Sequence, residues 1–434
     1  MTEKRVYNFS AGPSMLPVAV LEKAAKQMLN YEGSGMSVME MSHRSSSYLD
    51  IFEKTKGLLK KVMNVPENYK IVFIQGGATQ QFSMVPLNLL KNGKADYAIT
   101  GAFSKKAAAE AKKYGDIHIV YDGSSNDFKH IPTQDELDLS KDASYLHICA
   151  NNTIYGTEWK YVPETNGVSI IADMSSNILS KPVDVSKYGM IYAGAQKNMG
   201  IAGLGVAIIR EDLLQDVAKT TPVLLDYKLM IKNDSMYNTP PAYAIYVLGL
   251  VLEWIDSLGG LEVMKERNEK KAKLVYDYLD QSTFYKAHSD KENRSLMNVT
   301  FTTPNKDLDA KFVKESIEAG MTNLKGHRSV GGIRASIYNA MPYEGVEKLV
   351  AFMNLKKIID KESSMYKVKL MNKISSVGLD YFNEDYEYGE TLENEDAILL
   401  RSASLHEYEF TKNVKAIARA GAGVNNIPVE KCSE

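Results

Sequence analysis

Short apolar runs alternate with helical patterns over the first 210 residues. The apolar runs predict buried strands at residues 71–74, 97–100, 117–121, 145–148, 170–172, 190–193 and 206–209. Helical spacing of apolar positions lies before and between them, at residues 21–28, 49–62, 79–90 and 105–113. Such an alternation is typical of a mostly parallel sheet that is covered by helices on both faces.

The pattern changes after about residue 240. Two long helices are predicted at residues 242–258 and 261–279, followed by strands at 297–302 and 332–338 and helices at 308–319 and 345–360. We therefore predict an α/β chain with a large domain over residues 1–260 and a smaller α+β domain over residues 261–361. The pattern leaves open whether the N-terminal segment packs with the smaller domain.

Residues 365–434 form a separate tail. They contain predicted strands at 368–371 and 397–401, an acidic loop at 383–395 and a predicted helix at 414–420. Two or three elements are too few to bury a core alone, so this tail is expected to be a partial α/β unit.

Composition narrows the class of protein. The chain has 434 residues, 44% of them hydrophobic, with a net charge of −2 and two cysteines. No stretch approaches the roughly 20 apolar residues of a membrane span, the N-terminus lacks the apolar core of a secretory signal, and the charge gives no reason to expect nucleic-acid or membrane partners. Two cysteines exclude a disulfide scaffold and a thiolate zinc cluster, so a cytoplasmic enzyme without a metal is expected.

Lys197 and Asp173 are the first candidates for chemistry. Lys197 follows the predicted strand 190–193 within Ala-Gly-Ala-Gln-Lys-Asn, and Asp173 ends the strand before it. Taken alone, Lys197 is more often an ordinary surface lysine and Asp173 a turn residue. At the same edge of a parallel sheet, however, the pair could carry a Schiff-base lysine and a carboxylate that keeps a pyridine nitrogen protonated.

Two further motifs favour anions. Gly76-Gly77 lies between a strand and a helix, where backbone N–H groups and the helix N-terminus favour phosphate, although the loop is neither a Walker loop nor G-x-G-x-x-G. His43-Arg44, His327-Arg328 and Arg334 provide separated cationic groups that could bind a substrate with several anionic groups. Each motif alone is compatible with an ordinary loop.

Five segments resemble the phosphoserine aminotransferase family over about residues 5–361. They are the segments at residues 7–13, 37–44, 192–198, 238–241 and 325–340. The resemblance implies a homodimeric fold-type-I pyridoxal-phosphate enzyme, in which 3-phosphohydroxypyruvate and L-glutamate give O-phospho-L-serine and 2-oxoglutarate. A related reaction of vitamin B6 synthesis is a further possibility.

The resemblance also implies roles by position. Lys197 would form the Schiff base and shuttle a proton, and Asp173 would pair with the pyridine nitrogen. Thr153 would bond to the ring hydroxyl. Ala78, Thr79 and Gln196 would hold the cofactor phosphate, with Asn238 and Thr239 of the other subunit. Arg334 would bind the α-carboxylate, and the distal anion would meet His43, Arg44, His327 and Arg328.

Two positions depart from the pattern of many family members. Thr79 stands where some carry Arg, and Phe103 stands where many carry a Trp that stacks on the pyridine ring. Phe can still stack, but with less area and no N–H. Cofactor affinity is the property that these departures put in question.

The tail has a different resemblance. Residues 365–370, 401–406 and 418–426 look like the opening of D-3-phosphoglycerate dehydrogenase, without its dinucleotide fold or catalytic His. We expect no dehydrogenase activity. Two alternatives remain open: a cysteine desulfurase, which would need Cys149 or Cys432 as a catalytic thiol, and a scaffold whose tail recruits a dehydrogenase subunit.

Overall fold

The computed structural model describes residues 5–362, 366–382 and 386–432. The chain divides into two compact units, Met1–Ala351 and Phe352–Glu434. The expected first residue of the tail, Met365, lies outside the described residues. The predicted division of the first unit near residue 260 stays a prediction.

A seven-stranded sheet organises the first unit. The strands up to residue 210 are β1 (Tyr7–Asn8), β2 (Tyr69–Gln75), β3 (Lys94–Ile99), β4 (Asp116–Asp122), β5 (Tyr145–Cys149), β6 (Asn151–Asn152), β7 (Thr157–Glu158), β8 (Ser169–Asp173), β9 (Met190–Gly194) and β10 (Leu204–Arg210). The sheet order is β2-β10-β9-β8-β5-β3-β4. Only β10 runs antiparallel to its neighbours, so the mostly parallel sheet is confirmed.

Helices cover both faces of this sheet. They are α1 (Val18–Lys26), α2 (Ser46–Val62), α3 (Ala78–Leu89), α4 (Ala102–Ala111), α5 (Tyr227–Lys232) and α6 (Ala242–Ser257). Buried residues of α1, α2 and α6 share one apolar cluster, and those of α3, α4 and α5 share another. Alternation along β8 explains the division, because Ile170 and Ala172 enter the first cluster and Ile171 enters the second.

A second group of elements completes the unit. It contains α7 (Gly260–Gln281), β11 (Lys286–Ala287), β12 (Asn298–Thr302), α8 (Lys306–Glu318), β13 (Met321–Thr322), β14 (Ile333–Ser336) and the start of α9 (Tyr343–Glu362), which continues past Ala351. The strands β11-β12-β14 form an antiparallel sheet. The N-terminal strand β1 pairs in parallel with β13, so the start of the chain joins this group.

Helix boundaries follow local capping chemistry. Asn305 precedes α8, and its side chain accepts hydrogen bonds from the backbone N–H groups of Asp307 and Leu308. Ser45 caps α2 in the same way, through the N–H of Tyr48. These bonds satisfy donors that have no partner within the helix, and they fix where each helix begins.

The second unit has its own sheet. Its elements are β15 (Tyr366–Leu370), α10 (Ser376–Leu379), β16 (Tyr386–Gly389), β17 (Ala397–Leu400) and β18 (Ala416–Arg419), and the parallel strand order is β16-β15-β17-β18. Ile398, Leu400 and Leu405 form its fully buried cluster.

Two predictions for the tail were wrong. The predicted helix at 414–420 is strand β18, and the predicted acidic loop contains strand β16. The alanines around Ile417 favour a helix locally, but pairing with β17 outweighs that preference.

By length and hydropathy, no single helix in the described part of the chain could cross a membrane, although the bent pair α6 and α7 passes the same test together.

Candidate active site

A cavity of about 540 Å³ opens at the carboxyl edge of the central sheet. The ends of β5, β8 and β9 meet there, together with the N-terminal turns of α3 and α4. Open parallel sheets bind ligands at this edge. Ten of the predicted site residues line the cavity: Ala78, Thr79, Phe103, Thr153, Asp173, Gln196, Lys197, His327, Arg328 and Arg334.

Lys197 lies just beyond the end of β9. Its Nζ donates a hydrogen bond to Thr153 Oγ1 at 2.7 Å and lies 5.5 Å from the centroid of the Phe103 ring. Burial lowers the pKa of Lys197, while the charge of Asp173 opposes that shift. A lysine in such surroundings loses its proton more readily than a solvated one, as a nucleophilic amine requires.

Asp173 ends β8 and is 5% exposed. Its Oδ1 accepts hydrogen bonds from the backbone N–H of Ser175 at 2.9 Å and from Ser175 Oγ at 2.6 Å. Burial raises the pKa of Asp173, and the Ser175 bonds and Lys197 oppose the rise. Ser175 Oγ also accepts from the N–H of Gly194, which ties Asp173 to the strand that leads to Lys197.

The glycine-rich turn precedes α3 as the sequence predicted. Gly76 has φ +115°, a conformation that favours glycine, and Gly77 caps the helix in an extended conformation. Ala78 and Thr79, in the first turn of this helix, line the cavity, and N–H groups of a first turn have no acceptor within the helix. An anion fits there because it can accept hydrogen bonds from backbone N–H groups at the positive end of the helix dipole.

The cationic end of the cavity contains Arg334 on β14 and the His327-Arg328 pair. Arg334 Nε is buried without a hydrogen-bond partner among the described residues, which is costly unless a ligand supplies an acceptor. Burial lowers the pKa of Arg334. Burial also lowers the pKa of His327, with smaller contributions from the charges of Arg334, Arg328 and Lys106.

Four predicted residues do not line this cavity in the described part of one chain: His43, Arg44, Asn238 and Thr239. Asn238 donates to Gln75 Oε1 at 3.0 Å, and the Thr239 carbonyl accepts from Gln75 Nε2 at 3.1 Å. His43 Nε2 is buried without a partner among the described residues.

Sequence reasoning assigned no role to several residues that shape the site. Gly12 has φ +136°, a backbone conformation that favours glycine, and a Cβ at this position would make a tight contact of 3.2 Å with Lys197 Cγ. Ser175 follows Asp173 at the spacing of an Asx turn, which could have identified it. Lys106 lies one turn after Phe103 on α4, and that helical spacing was the available signal.

Cys149 gives no support to a desulfurase. It lines the cavity but is 3% exposed in β5, and burial raises the pKa of its thiol. A catalytic thiol needs the opposite shift and an accessible position. Cys432 lies in the second unit.

Comparison with known proteins agrees with this geometry. The family model of class-V aminotransferases matches residues 6–349. The phosphoserine aminotransferase of Geobacillus kaustophilus is 53% identical over 353 residues, covering 81% of this chain and 98% of that protein. The enzyme of Nitrosomonas europaea is 51% identical over 360 residues, with the same coverage of both chains.

Solved structures give the same assignment. Phosphoserine aminotransferase from Bacillus circulans subsp. alkalophilus superposes with a TM-score of 0.81 at 47% identity, covering 82% of this chain and 99% of that one. The enzyme from Trichomonas vaginalis, solved with pyridoxal phosphate bound, has a TM-score of 0.78 at 41% identity, covering 81% and 100%. The chain belongs to the class-V aminotransferases and, within them, to the phosphoserine aminotransferase family.

Proposed function

We propose that the chain transfers the amino group of L-glutamate to 3-phosphohydroxypyruvate, giving O-phospho-L-serine and 2-oxoglutarate in serine biosynthesis, by a reversible reaction. The observation that carries this proposal is one cavity containing a partly desolvated lysine, a buried carboxylate and a separate group of cations. Membership of the family supports the same substrates.

The residues present fit pyridoxal 5′-phosphate. The N-terminal turn of α3 offers N–H groups to a phosphate, with Gln196 beside it, and Phe103 offers an aromatic face to a planar ring. Asp173 and Thr153 line the same cavity, and we assign Asp173 to the ring nitrogen and Thr153 to the ring hydroxyl. The cofactor supplies an electron-withdrawing ring that stabilises negative charge on the substrate α-carbon.

The chain's own residues do the remaining work. Lys197 provides the amine that attaches the cofactor, and its Nζ then moves the proton at the substrate α-carbon. Thr153 keeps that Nζ in place through the bond at 2.7 Å. Asp173 retains the ring-nitrogen proton, and Ser175 keeps the carboxylate oriented.

Substrate recognition is divided between two groups of cations. Arg334 binds the α-carboxylate that both amino acids share, because its unpaired Nε requires an acceptor. His327 and Arg328 bind the distal anion, which is a phosphate in one substrate and a carboxylate in the other. The same arrangement suits 4-phosphohydroxy-L-threonine of vitamin B6 synthesis, which is one hydroxylated carbon longer than phosphoserine.

A homodimer with shared active sites is part of the proposal. His43, Arg44, Asn238 and Thr239 lie outside the cavity of their own chain, and the buried His43 Nε2 has no partner among the described residues. We assign these residues to the site of the neighbouring subunit. We also assign the reaction to the cytoplasm, because its reducing conditions keep free cysteines such as the two of this chain reduced.

The test follows each half of the reaction separately. The full chain with cofactor is expected to lose the absorbance band of the lysine-attached cofactor when L-glutamate or O-phospho-L-serine is added alone. Lys197→Ala should abolish that band and slow turnover by at least about 10³-fold. Lys187→Ala, at an exposed position between β8 and β9, is the matched control. Near-normal turnover of Lys197→Ala would refute the role of this lysine.

A further inference from the structure

Helix α4 contains a cation that the proposed function does not use. Ala107, Ala108 and Ala111 of α4 are buried against the sheet, whereas Phe103 and Lys106, one turn apart, line the cavity. The neighbouring Lys105 is exposed and does not line the cavity. The face of α4 toward the site therefore contains one aromatic ring and one ammonium group.

The register of α3 against α4 places Lys106 near the phosphate end of the site. Both helices follow parallel strands and share one apolar cluster, so they run side by side in the same direction. Ser83 Oγ on α3 donates a hydrogen bond to Glu110 Oε1 on α4 at 2.9 Å, which fixes their relative position. One turn nearer to the N-terminus of each helix lie Thr79 and Lys106, and both line the cavity.

The first turn of α3 supplies little of the positive charge that a phosphate requires. The first turn of α3 contains no ionised side chain, and the helix terminus itself contributes only about half an elementary charge. A phosphate monoester carries close to two negative charges at neutral pH. Lys197, Arg328 and Arg334 have other proposed partners, whereas Lys106 forms no ion pair with any carboxylate among the described residues.

Phe103 keeps this ammonium group beside the cavity. Lys106 Nζ lies 5.7 Å from the centroid of the Phe103 ring, at the range of a cation–π contact. The charge of Lys106 also contributes to the lowered pKa of His327, which lines the same cavity. The Lys106 side chain is exposed, but its charge affects the pKa of a residue that lines the site.

We propose that Lys106 binds a phosphate monoester dianion at the N-terminal end of α3, and that this phosphate is the one of the cofactor. Lys106 thereby supplies the positive charge that the neutral Thr79 does not. The inference rests on the proposed function, because it presupposes that pyridoxal 5′-phosphate is the cofactor. Its consequence is that cofactor affinity depends on a residue of α4 as well as on the turn before α3.

The experiment measures binding rather than turnover. Cofactor-free full chain is titrated with pyridoxal 5′-phosphate and, in parallel, with pyridoxal, which lacks the phosphate. Lys106→Met should weaken binding of pyridoxal 5′-phosphate about tenfold and leave that of pyridoxal unchanged. The difference should shrink at high salt, because the contact is exposed to solvent.

Matched variants distinguish the loss of the positive charge from a disturbance of the fold. Lys105→Met, next to it on the same helix, should bind both compounds like the native chain, and Lys106→Arg should retain the affinity. Lys106→Gln keeps a polar side chain at this position and should reproduce the loss seen with Met. Circular dichroism of each variant checks that the fold is retained.

Two results would overturn the assignment. Equal affinity of native and Lys106→Met chains for pyridoxal 5′-phosphate would exclude the contact. A raised KM for phosphoserine, with glutamate and cofactor affinity unchanged, would assign Lys106 to the substrate phosphate instead. A native chain that failed to bind the cofactor at all would contradict the proposed function itself, which is a different outcome from either of these.

Discussion

Lys197 and Asp173 have opposite pKa shifts with one common cause. Burial disfavours charge on both, so the pKa of the lysine falls and that of the carboxyl group rises. Each charge partly stabilises the other across the cavity. These shifted pKa values suit the exchange of protons with a bound ligand. The two groups of a solvated ion pair would keep their ordinary pKa values.

Arg334 provides a test at the scale of one residue. Arg334→Ala should lower kcat/KM for glutamate and for phosphoserine about 10- to 150-fold each, because both lose a charge-assisted bond to the α-carboxylate. Arg334→Lys should recover part of the loss, since it restores the charge without the bidentate geometry. Arg328→Ala should affect phosphoserine at least as strongly as glutamate. A loss confined to one substrate in Arg334→Ala would show that the α-carboxylate is bound elsewhere.

A buried polar network connects the elements that position these residues. Asn198, next to Lys197, accepts a hydrogen bond from the backbone N–H of Asn339 at 3.0 Å. Asn268 of α7 donates to Asn339 Oδ1 at 2.8 Å. All three asparagines are at most 5% exposed. The lysine loop, α7 and the segment after β14 are thus held in one arrangement, because breaking any bond would leave a buried polar group unpaired.

Lys271 of α7 makes further buried hydrogen bonds to the segment after β14. Its Nζ donates to the carbonyls of Ile337, Tyr338 and Met341 at 3.0, 2.7 and 3.1 Å. Burial lowers the pKa of Lys271 to about 7, with a smaller contribution from the charge of Arg267. Only the ammonium form of this lysine supplies three donors to the three carbonyls.

Replacing Lys271 tests how much these hydrogen bonds of α7 stabilise the fold. Lys271→Met should reduce the free energy of unfolding by about 2–4 kcal/mol, since it leaves buried carbonyls without donors. Lys273→Met, two residues further along α7 and exposed, should change it by less than about 0.5 kcal/mol. Denaturant unfolding of the full chain measures both. Equal stability of the two variants would mean that water or backbone rearrangement replaces the Lys271 bonds.

At the scale of the whole molecule, the family match and the proposed roles fall in the first of the two units. The family match ends at residue 349, and every residue with a proposed role lies in Met1–Ala351. The second unit has a parallel sheet with one small buried cluster and several exposed apolar side chains, among them Val377, Tyr381 and Val424. Exposed apolar side chains and uncovered strand edges favour association.

Removal of the tail tests this division. A chain that stops after Ser364 should retain turnover within about twofold of the full chain and be more soluble, because compact units fold largely on their own contacts. Turnover and thermal unfolding of both chains are compared at equal concentration. Loss of most activity, or unfolding many degrees lower, would show that the tail is an integrated part of the enzyme. Its resemblance to a dehydrogenase opening and its possible scaffold role stay predictions.

The sequence by itself determined the central sheet. Strand predictions at 71–74, 97–100, 117–121, 145–148, 170–172, 190–193 and 206–209 are confirmed within a few residues, because a strand buried on both faces must be apolar along its length. The same pattern placed Asp173 and Lys197 at adjacent strand ends. Their proximity then followed from the shared edge of parallel strands.

The tertiary structure decided what local preference could not. Residues 414–420 favour a helix by composition, yet β18 forms there because β17 offers a strand edge for pairing. Lys106 approaches the cavity only because α3 and α4 pack side by side in one register, and Gly12 matters only because the N-terminal segment crosses Lys197. Such contacts join positions that are far apart in the chain, so they depend on how whole elements pack rather than on the order of residues within each one.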